Sequence, residues 1–298
     1  MTNFDIYRIS DEYINTRLDK WVKKYYQGLK HNEIEIALRK NKIKVNKKKV
    51  KSNYRFQDFD QIEISIDFRL QRLKNTTKFN SMSKKEINKM IIFKDDELLI
   101  LNKPSGLAVQ GGTKIEKHID GLLKESFKSA ETRLVHRLDK DTSGVLIIAL
   151  NRQIADYLSY LFREKKIIKN YWALNVGKIK KGKGIINKKI KKKNSNTYYE
   201  ALTKYNNYMK INDNLNFIIF KPITGRNHQI RIHSKELGIP ILGDKIYGND
   251  KDNKNLYLHS RSIEFSHPNG NKMFFEAKLP KHMKKKWEKY NLPYEVNG

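Results

Sequence analysis

The carboxylate of Asp139 stands inside the run His136-Arg137-Leu138-Asp139-Lys140-Asp141-Thr142-Ser143-Gly144, and the apolar stretch Val145-Leu146-Ile147-Ile148-Ala149-Leu150 follows at once. A short apolar run bounded by a glycine reads as a buried strand. A carboxylate just outside such a strand, two residues from the guanidinium of Arg137, is placed to be held ionised by a neighbouring cation. In a partly dry pocket it could act as a nucleophile or as a base. The same letters also describe a plain turn into a strand, with Asp139 as a turn residue among surface charges.

The elements that would carry this segment are legible nearby. Ile91-Ile92-Phe93 and Leu98-Leu99-Ile100-Leu101 predict a hairpin around Lys94-Asp95-Asp96-Glu97. Ile154, Leu158, Leu161 and Phe162 share one helical face. Trp172, Leu174 and Val176 alternate as in a strand, and Phe217-Ile218-Ile219-Phe220 reads as a second buried strand. Lys178 to Lys193 is a Lys/Gly-rich loop with room for a hairpin excursion. Strands outnumber helices and do not alternate with them strictly. The expected class is therefore α+β, with the larger domain built on a mostly antiparallel, mixed sheet.

A smaller unit precedes it, from about Ile14 to Ile66. Leu18, Trp21 and Val22 lie at helical spacing, and Asn32 with Glu35 could form a capping box ahead of Ile34, Ala37 and Leu38. Lys42 to Asn46 alternates as a short strand, Lys47 to Lys51 form a basic turn, and Ile62, Ile64 and Ile66 alternate as another strand. Arg39, Lys40, Lys42, Lys44, Lys47, Lys48 and Lys49 crowd into this helix-strand-turn stretch. A Lys run is usually a solvated face; here it is also a candidate phosphate-binding surface. Residues 67–84 are polar and without periodicity, which reads as a linker, and residues 85–298 form the second domain.

Composition points to a polyanionic partner. The chain has 298 residues, 62 Lys+Arg against 32 Asp+Glu, and a formal net charge of +30. That excess attracts nucleic acid or an anionic membrane surface. No apolar run is long enough to span a bilayer, and Met1 to Ser10 shows no secretory core, so the expected compartment is the cytoplasm and no membrane partner is expected. The absence of cysteine excludes disulfides, thiolate metal sites and cysteine nucleophiles, including those of pyrimidine-attacking RNA methyltransferases.

Four ordered segments then carry a resemblance. They are Leu101-Asn102-Lys103-Pro104-Ser105-Gly106-Leu107-Ala108-Val109, the Asp139 segment, Lys169-Asn170-Tyr171-Trp172-Ala173-Leu174, and Thr224-Gly225-Arg226-Asn227-His228-Gln229-Ile230-Arg231-Ile232-His233. Pro240-Ile241-Leu242-Gly243-Asp244-Lys245-Ile246-Tyr247-Gly248 and Leu256-Tyr257-Leu258-His259-Ser260 follow. Together they resemble the RluA-type family of RNA pseudouridine synthases. Asn227 stands where that family usually has Thr. The 14–66 unit resembles the S4 RNA-binding module. The fused module, with the Pro104 segment running on into Gln110-Gly111-Gly112, resembles the members that modify large-subunit ribosomal RNA.

The resemblance implies an isomerase that breaks the uridine C1′–N1 bond and joins C5 to C1′. Nothing enters or leaves, so neither metal nor cofactor is expected. It implies Asp139 as the reacting carboxylate, Arg231 as its orienting cation and Tyr171 as the stacking platform for uracil. Strand alternation sends Tyr171 and Trp172 to opposite faces, so one can line a cleft while the other fills the core. Arg137 is implied beside the extruded nucleotide. His136 and His228 read as structural, and Asp244 as a turn residue. The expected partner is RNA, with 23S ribosomal RNA favoured over transfer RNA, and the expected state is a monomer. A non-catalytic RNA-binding or ribosome-assembly protein on this scaffold is the reading from another class; loss of Asp139 or Tyr171 would have favoured it. A glycoside hydrolase would need a second carboxylate at about 5–9.5 Å, which only Asp141 or Asp244 could supply.

Overall fold

Alternating isoleucines and two short amphipathic helices build the first part of the computed structural model. The structure describes residues 4–26, 29, 31–68, 84–111, 117–127, 132–191, 195–248 and 253–296. The chain divides into two units, Met1–Lys84 and Lys85–Gly298. In the first, β1 (Phe4–Arg8), α1 (Leu18–Tyr25), α2 (His31–Arg39), β2 (Ile43–Val45) and β3 (Gln61–Ser65) follow in order. The strands form an antiparallel sheet in the order β1-β3-β2. Leu18, Trp21 and Val22 of α1 and Ile34, Ala37 and Leu38 of α2 pack with Ile43, Val45, Ile62 and Ile64 of the sheet.

Two details differ from expectation, and one cannot be compared. β1 lies ahead of the 14–66 span: no residue of it is fully buried and Ile6 is 51% exposed, so this edge strand is held by backbone pairing and by Tyr7 packing partly buried against the core beside Trp21. Asn32 sits inside α2 rather than before it. Most of the expected linker, residues 69–83, lies outside the described residues. The basic turn is present after β2, where Asn46 and Lys47 take left-handed φ values of 50° and 62°.

The second unit begins with β4 (Ile91–Lys94) and β5 (Leu98–Lys103), an antiparallel hairpin. Next come α3 (Ile119–Ser126), β6 (Arg133–Leu134), β7 (Ser143–Ala149), α4 (Arg152–Arg163) and β8 (Ile168–Val176). The Lys-rich segment holds β9 (Lys183–Asn187) and β10 (Ile190–Lys191), and β10 pairs with β11 (Tyr198–Tyr199); residues 192–194 within it lie outside the described residues. β12 (Leu202–Asn212), β13 (Leu215–Pro222), α5 (Gln229–Glu236), β14 (Leu258–Ser266), β15 (Lys272–Glu276) and α6 (Lys281–Lys289) complete the unit.

The main sheet runs β4-β5-β7-β14-β8-β13-β12-β9, with β15 paired to β14 and β6 to β7. All its pairings are antiparallel except β7 with β14. β7 buries every one of its seven residues, as its unbroken apolar run predicts. One of its edges is taken by β5. The other is shared: β14 pairs at Ser143 and Gly144, and β6 pairs at Ile148 and Ala149. The segment from Val135 to Thr142 joins β6 to β7 and carries Asp139. Gly144 permits the join with β14: its φ is +114°, and a Cβ there would lie 2.1 Å from the Ser260 carbonyl oxygen.

Candidate active site

α5 is short, but both of its faces are committed. Gln229, Ile230, Arg231, His233 and Ser234 are buried. His233 Nδ1 meets Thr203 Oγ1 at 2.9 Å, and Gln229 Nε2 donates to the Leu202 carbonyl and to Thr203. These bonds fix the helix to β12 and so fix Arg231. The Arg231 side chain is only 4% exposed. Its Nε and Nη2 donate to Asp244 Oδ2 and Oδ1 at 2.7 and 2.6 Å, a bidentate pair. Asp244 is fully buried and its Oδ1 also accepts from the backbone N–H groups of Ile246 and Tyr247, 3.0 Å each. Burial pushes the Asp244 carboxyl up, but Arg231 and the two N–H groups hold it below the ordinary carboxylate range.

One guanidinium nitrogen is left over. Arg231 Nη1 lies 3.9 Å from Asp139 Oδ2, and His228 Nε2 lies 3.9 Å from Asp139 Oδ1. These distances exceed a hydrogen bond, so Asp139 faces two donors without being consumed by either. Its side chain is 23% exposed, which leaves it open on one side. Burial raises its pKa, and the charges of His228, Arg231, Lys103 and Arg137 oppose the rise without cancelling it. The neighbouring cations lower this pKa, as expected, but the net shift is upward. Arg137 is exposed, and Arg231 spends its two best-directed N–H groups on Asp244, so desolvation wins.

Tyr171 and Trp172 separate as strand alternation requires. Trp172 is buried, stacks on Trp287 of α6 at 5.8 Å with 1° between planes, and lies under the Arg261 guanidinium. Tyr171 packs partly exposed on the other face, close enough to Asp139 to feel its charge. Burial pushes its phenol up to about 12, while a hydrogen bond with Ser260 pulls the other way. The ring is a neutral phenol at neutral pH. The structure thus brings together Asp139, Arg231 and Tyr171, with Arg137 exposed on the same loop as Asp139.

The seven cations of the Arg39–Lys49 stretch are at the surface of the first unit. Arg39, Lys40, Lys47, Lys48 and Lys49 are exposed, and Lys42 and Lys44 are half-buried, with Lys44 4.7 Å over the Phe4 ring.

Three residues near Asp139 were not singled out by sequence. Lys103 at the end of β5 is fully buried, and its Nζ donates to the carbonyls of Pro104, Leu107 and Lys140 at 2.9, 2.7 and 3.0 Å. It ties the first segment to the loop that carries Asp139. Burial brings its pKa down to about 7, against the pull of Asp141 and Asp139. Asp244 is a turn residue, as expected, and also the anchor of Arg231. His228, read as structural, lies beside Asp139. His136 does act structurally: Nε2 accepts from the Ile147 N–H at 2.8 Å and the ring stacks on Phe162, with a pKa lowered to about 3 by burial.

No helix among the described residues is long and apolar enough to cross a membrane. Residues 97–236 match the model of a family described as RNA pseudouridylate synthase. The ribosomal large subunit pseudouridine synthase C of Rickettsia felis is 40% identical over 287 residues, covering 90% of this chain and 94% of that one. The protein of the same name from Vibrio parahaemolyticus is 32% identical over 306 residues, covering 94% and 93%. Among solved structures, human RNA pseudouridylate synthase domain containing 4 shares the fold, with a TM-score of 0.62 and 24% identity over 72% of this chain and 97% of that one. Sequence identity across almost the whole of both chains carries one conclusion: the chain belongs to the RNA pseudouridylate synthase family, isomerases that make pseudouridine in RNA.

Proposed function

We propose that the chain converts specific uridines of large-subunit, 23S ribosomal RNA to pseudouridine, with Asp139 as the reacting carboxylate. The observation that carries this reading is a carboxylate 3.9 Å from one nitrogen of a guanidinium whose other two nitrogens are bound to Asp244. Such a carboxylate is oriented but unspent. Ionised, it either attacks C1′ as N1 departs or takes the C2′ proton to give a glycal. The uracil then turns and C5 bonds to C1′ as the Asp139–C1′ bond breaks or, on the glycal route, as the C2′ proton returns; the C5 proton is lost and N1 gains one. The reaction is redox-neutral and atom-neutral, so the protein acts without a cofactor. Tyr171 stacks on the uracil with its ring, and its neutral hydroxyl assists loss of the C5 proton by hydrogen bonding rather than as a phenolate base. Arg137, exposed beside Asp139, fills the space the extruded base leaves. Arg231 orients Asp139.

The ribosomal target follows from the relatives' names and from the charge of +30. The S4-like RNA-binding domain, residues 14–66, contacts phosphates through Arg39, Lys40, Lys42, Lys44, Lys47, Lys48 and Lys49, and residues 67–84 link it to the catalytic domain, 85–298. The protein works as a monomer in the cytoplasm. Mapping pseudouridines in ribosomal and transfer RNA from cells with and without the gene tests the assignment. Loss of sites in 23S RNA is expected; loss confined to transfer RNA contradicts the target.

A further inference from the structure

His228 is one residue before α5, and its backbone takes a left-handed conformation with φ +53°, uncommon for a residue with a Cβ. That conformation sets the imidazole between two groups. On one side Nε2 lies 3.9 Å from Asp139 Oδ1. On the other Nδ1 lies 3.1 Å from the Tyr247 hydroxyl, and the two rings meet edge to face at 5.6 Å and 82°. Tyr247 in turn lies 5.2 Å under the Arg231 guanidinium and follows the turn built by Asp244. The imidazole is therefore joined to the same buried assembly that fixes Arg231.

The ring's single hydrogen has a preferred place. A lone pair on Nε2 would face the Asp139 carboxylate and be repelled; an N–H there is attracted. Nδ1 is then the acceptor, and the Tyr247 hydroxyl, whose pKa burial raises, stays protonated to donate to it.

We propose that His228, held in its Nε2–H tautomer by Tyr247, is a positioning residue for Asp139: a neutral donor that orients the carboxylate opposite Arg231. Neutrality matters. Arg231 already supplies a full positive charge, and a second one would further stabilise the ionised carboxylate and make it a poorer nucleophile or base. Burial lowers the imidazole pKa below its ordinary value, which keeps it neutral at neutral pH; the groups whose charge it feels are Asp139, Arg231, Asp244 and Asp141. The inference rests on Asp139 being the reacting group.

The test uses the full chain and a 23S RNA transcript. The 3.9 Å approach of Nε2 to Asp139 tightens to a hydrogen bond once substrate closes the site, so His228→Leu should lower single-turnover rate at saturating RNA by about tenfold to a hundredfold, the range for a hydrogen bond to a charged group, with affinity unchanged. The acid limb of its pH–rate profile should move to higher pH, because a lost donor raises the Asp139 pKa. His228→Gln, which keeps an N–H, should recover part of the rate, and His228→Arg should not. A purely packing role would lower the rate without moving the limb, and an unshifted limb overturns the proposal. Should His228→Leu fail to fold, nitrogen NMR of the unmodified protein decides: Nε2–H with Nδ1 as acceptor is expected, and the opposite tautomer overturns it. Failure of the catalytic reading itself would show separately, as turnover surviving in Asp139→Asn.

Discussion

Arg231 serves two carboxylates, and they could hardly be treated more differently. Asp244 is fully buried and takes two guanidinium N–H bonds and two backbone N–H bonds. Asp139 is partly open and lies 3.9 Å from the remaining nitrogen. The cation and the four bonds hold the first below its ordinary pKa; desolvation raises the second. A carboxylate whose lone pairs are all occupied is a structural anchor. One kept near donors but short of bonding them retains lone pairs to spend on a substrate. The contrast separates positioning from reaction within one residue's reach.

Replacing each acid in turn tests that division. Asp139→Asn should reduce pseudouridine formation by about a thousandfold or more while the protein folds and binds RNA. A variant keeping a tenth of the wild-type turnover would remove Asp139 from the reaction. Asp244→Asn should instead unfold more easily. Losing one partner of a buried pair strands the other charge, at a cost of about 3–5 kcal/mol. A urea midpoint equal to wild type would show that Asp244 does not anchor Arg231. Tyr171→Phe keeps the ring and loses the hydroxyl. Its single-turnover rate should fall by about a hundredfold with RNA affinity nearly unchanged; an unchanged rate would leave Tyr171 as a stacking platform only. The smallest effect should come from the other unit. Lys47, Lys48 and Lys49 changed together to alanine should leave saturating turnover intact and make the salt dependence of binding shallower, by about 0.7–0.9 in the log–log slope per lost phosphate contact. An unchanged slope would make the basic turn a solvated face.

What could be read from the sequence follows the physics of each element. β7 announced itself because a strand buried on both faces is an unbroken apolar run. The opposite placement of Tyr171 and Trp172 needed only the two-residue period of a strand. β1 carries only a weak pattern, because backbone pairing holds it and none of its residues is fully buried, with Tyr7 only partly packed on the core. Asp244 read as a turn residue and is one; its second role depends on α5 lying over it, with 13 residues separating it from Arg231. Lys103 looks like any surface lysine between Asn102 and Pro104, yet its ammonium satisfies three carbonyls at 0% exposure. His228 reads as a structural histidine because nothing local reveals its left-handed backbone. Long-range pairing and burial are tertiary facts, and local pattern is silent on them.

The most direct test is to titrate the two carboxylates in the folded protein by carbon NMR and to record the pH–rate profile alongside. Asp139 should titrate above the ordinary carboxylate range and Asp244 below it, with the acid limb of the rate following Asp139. The reaction needs the ionised form, so activity should fall as pH drops through that raised value. An Asp139 that titrates below the ordinary range, or an acid limb that follows another group, would contradict the assignment of Asp139 as the free, reacting carboxylate.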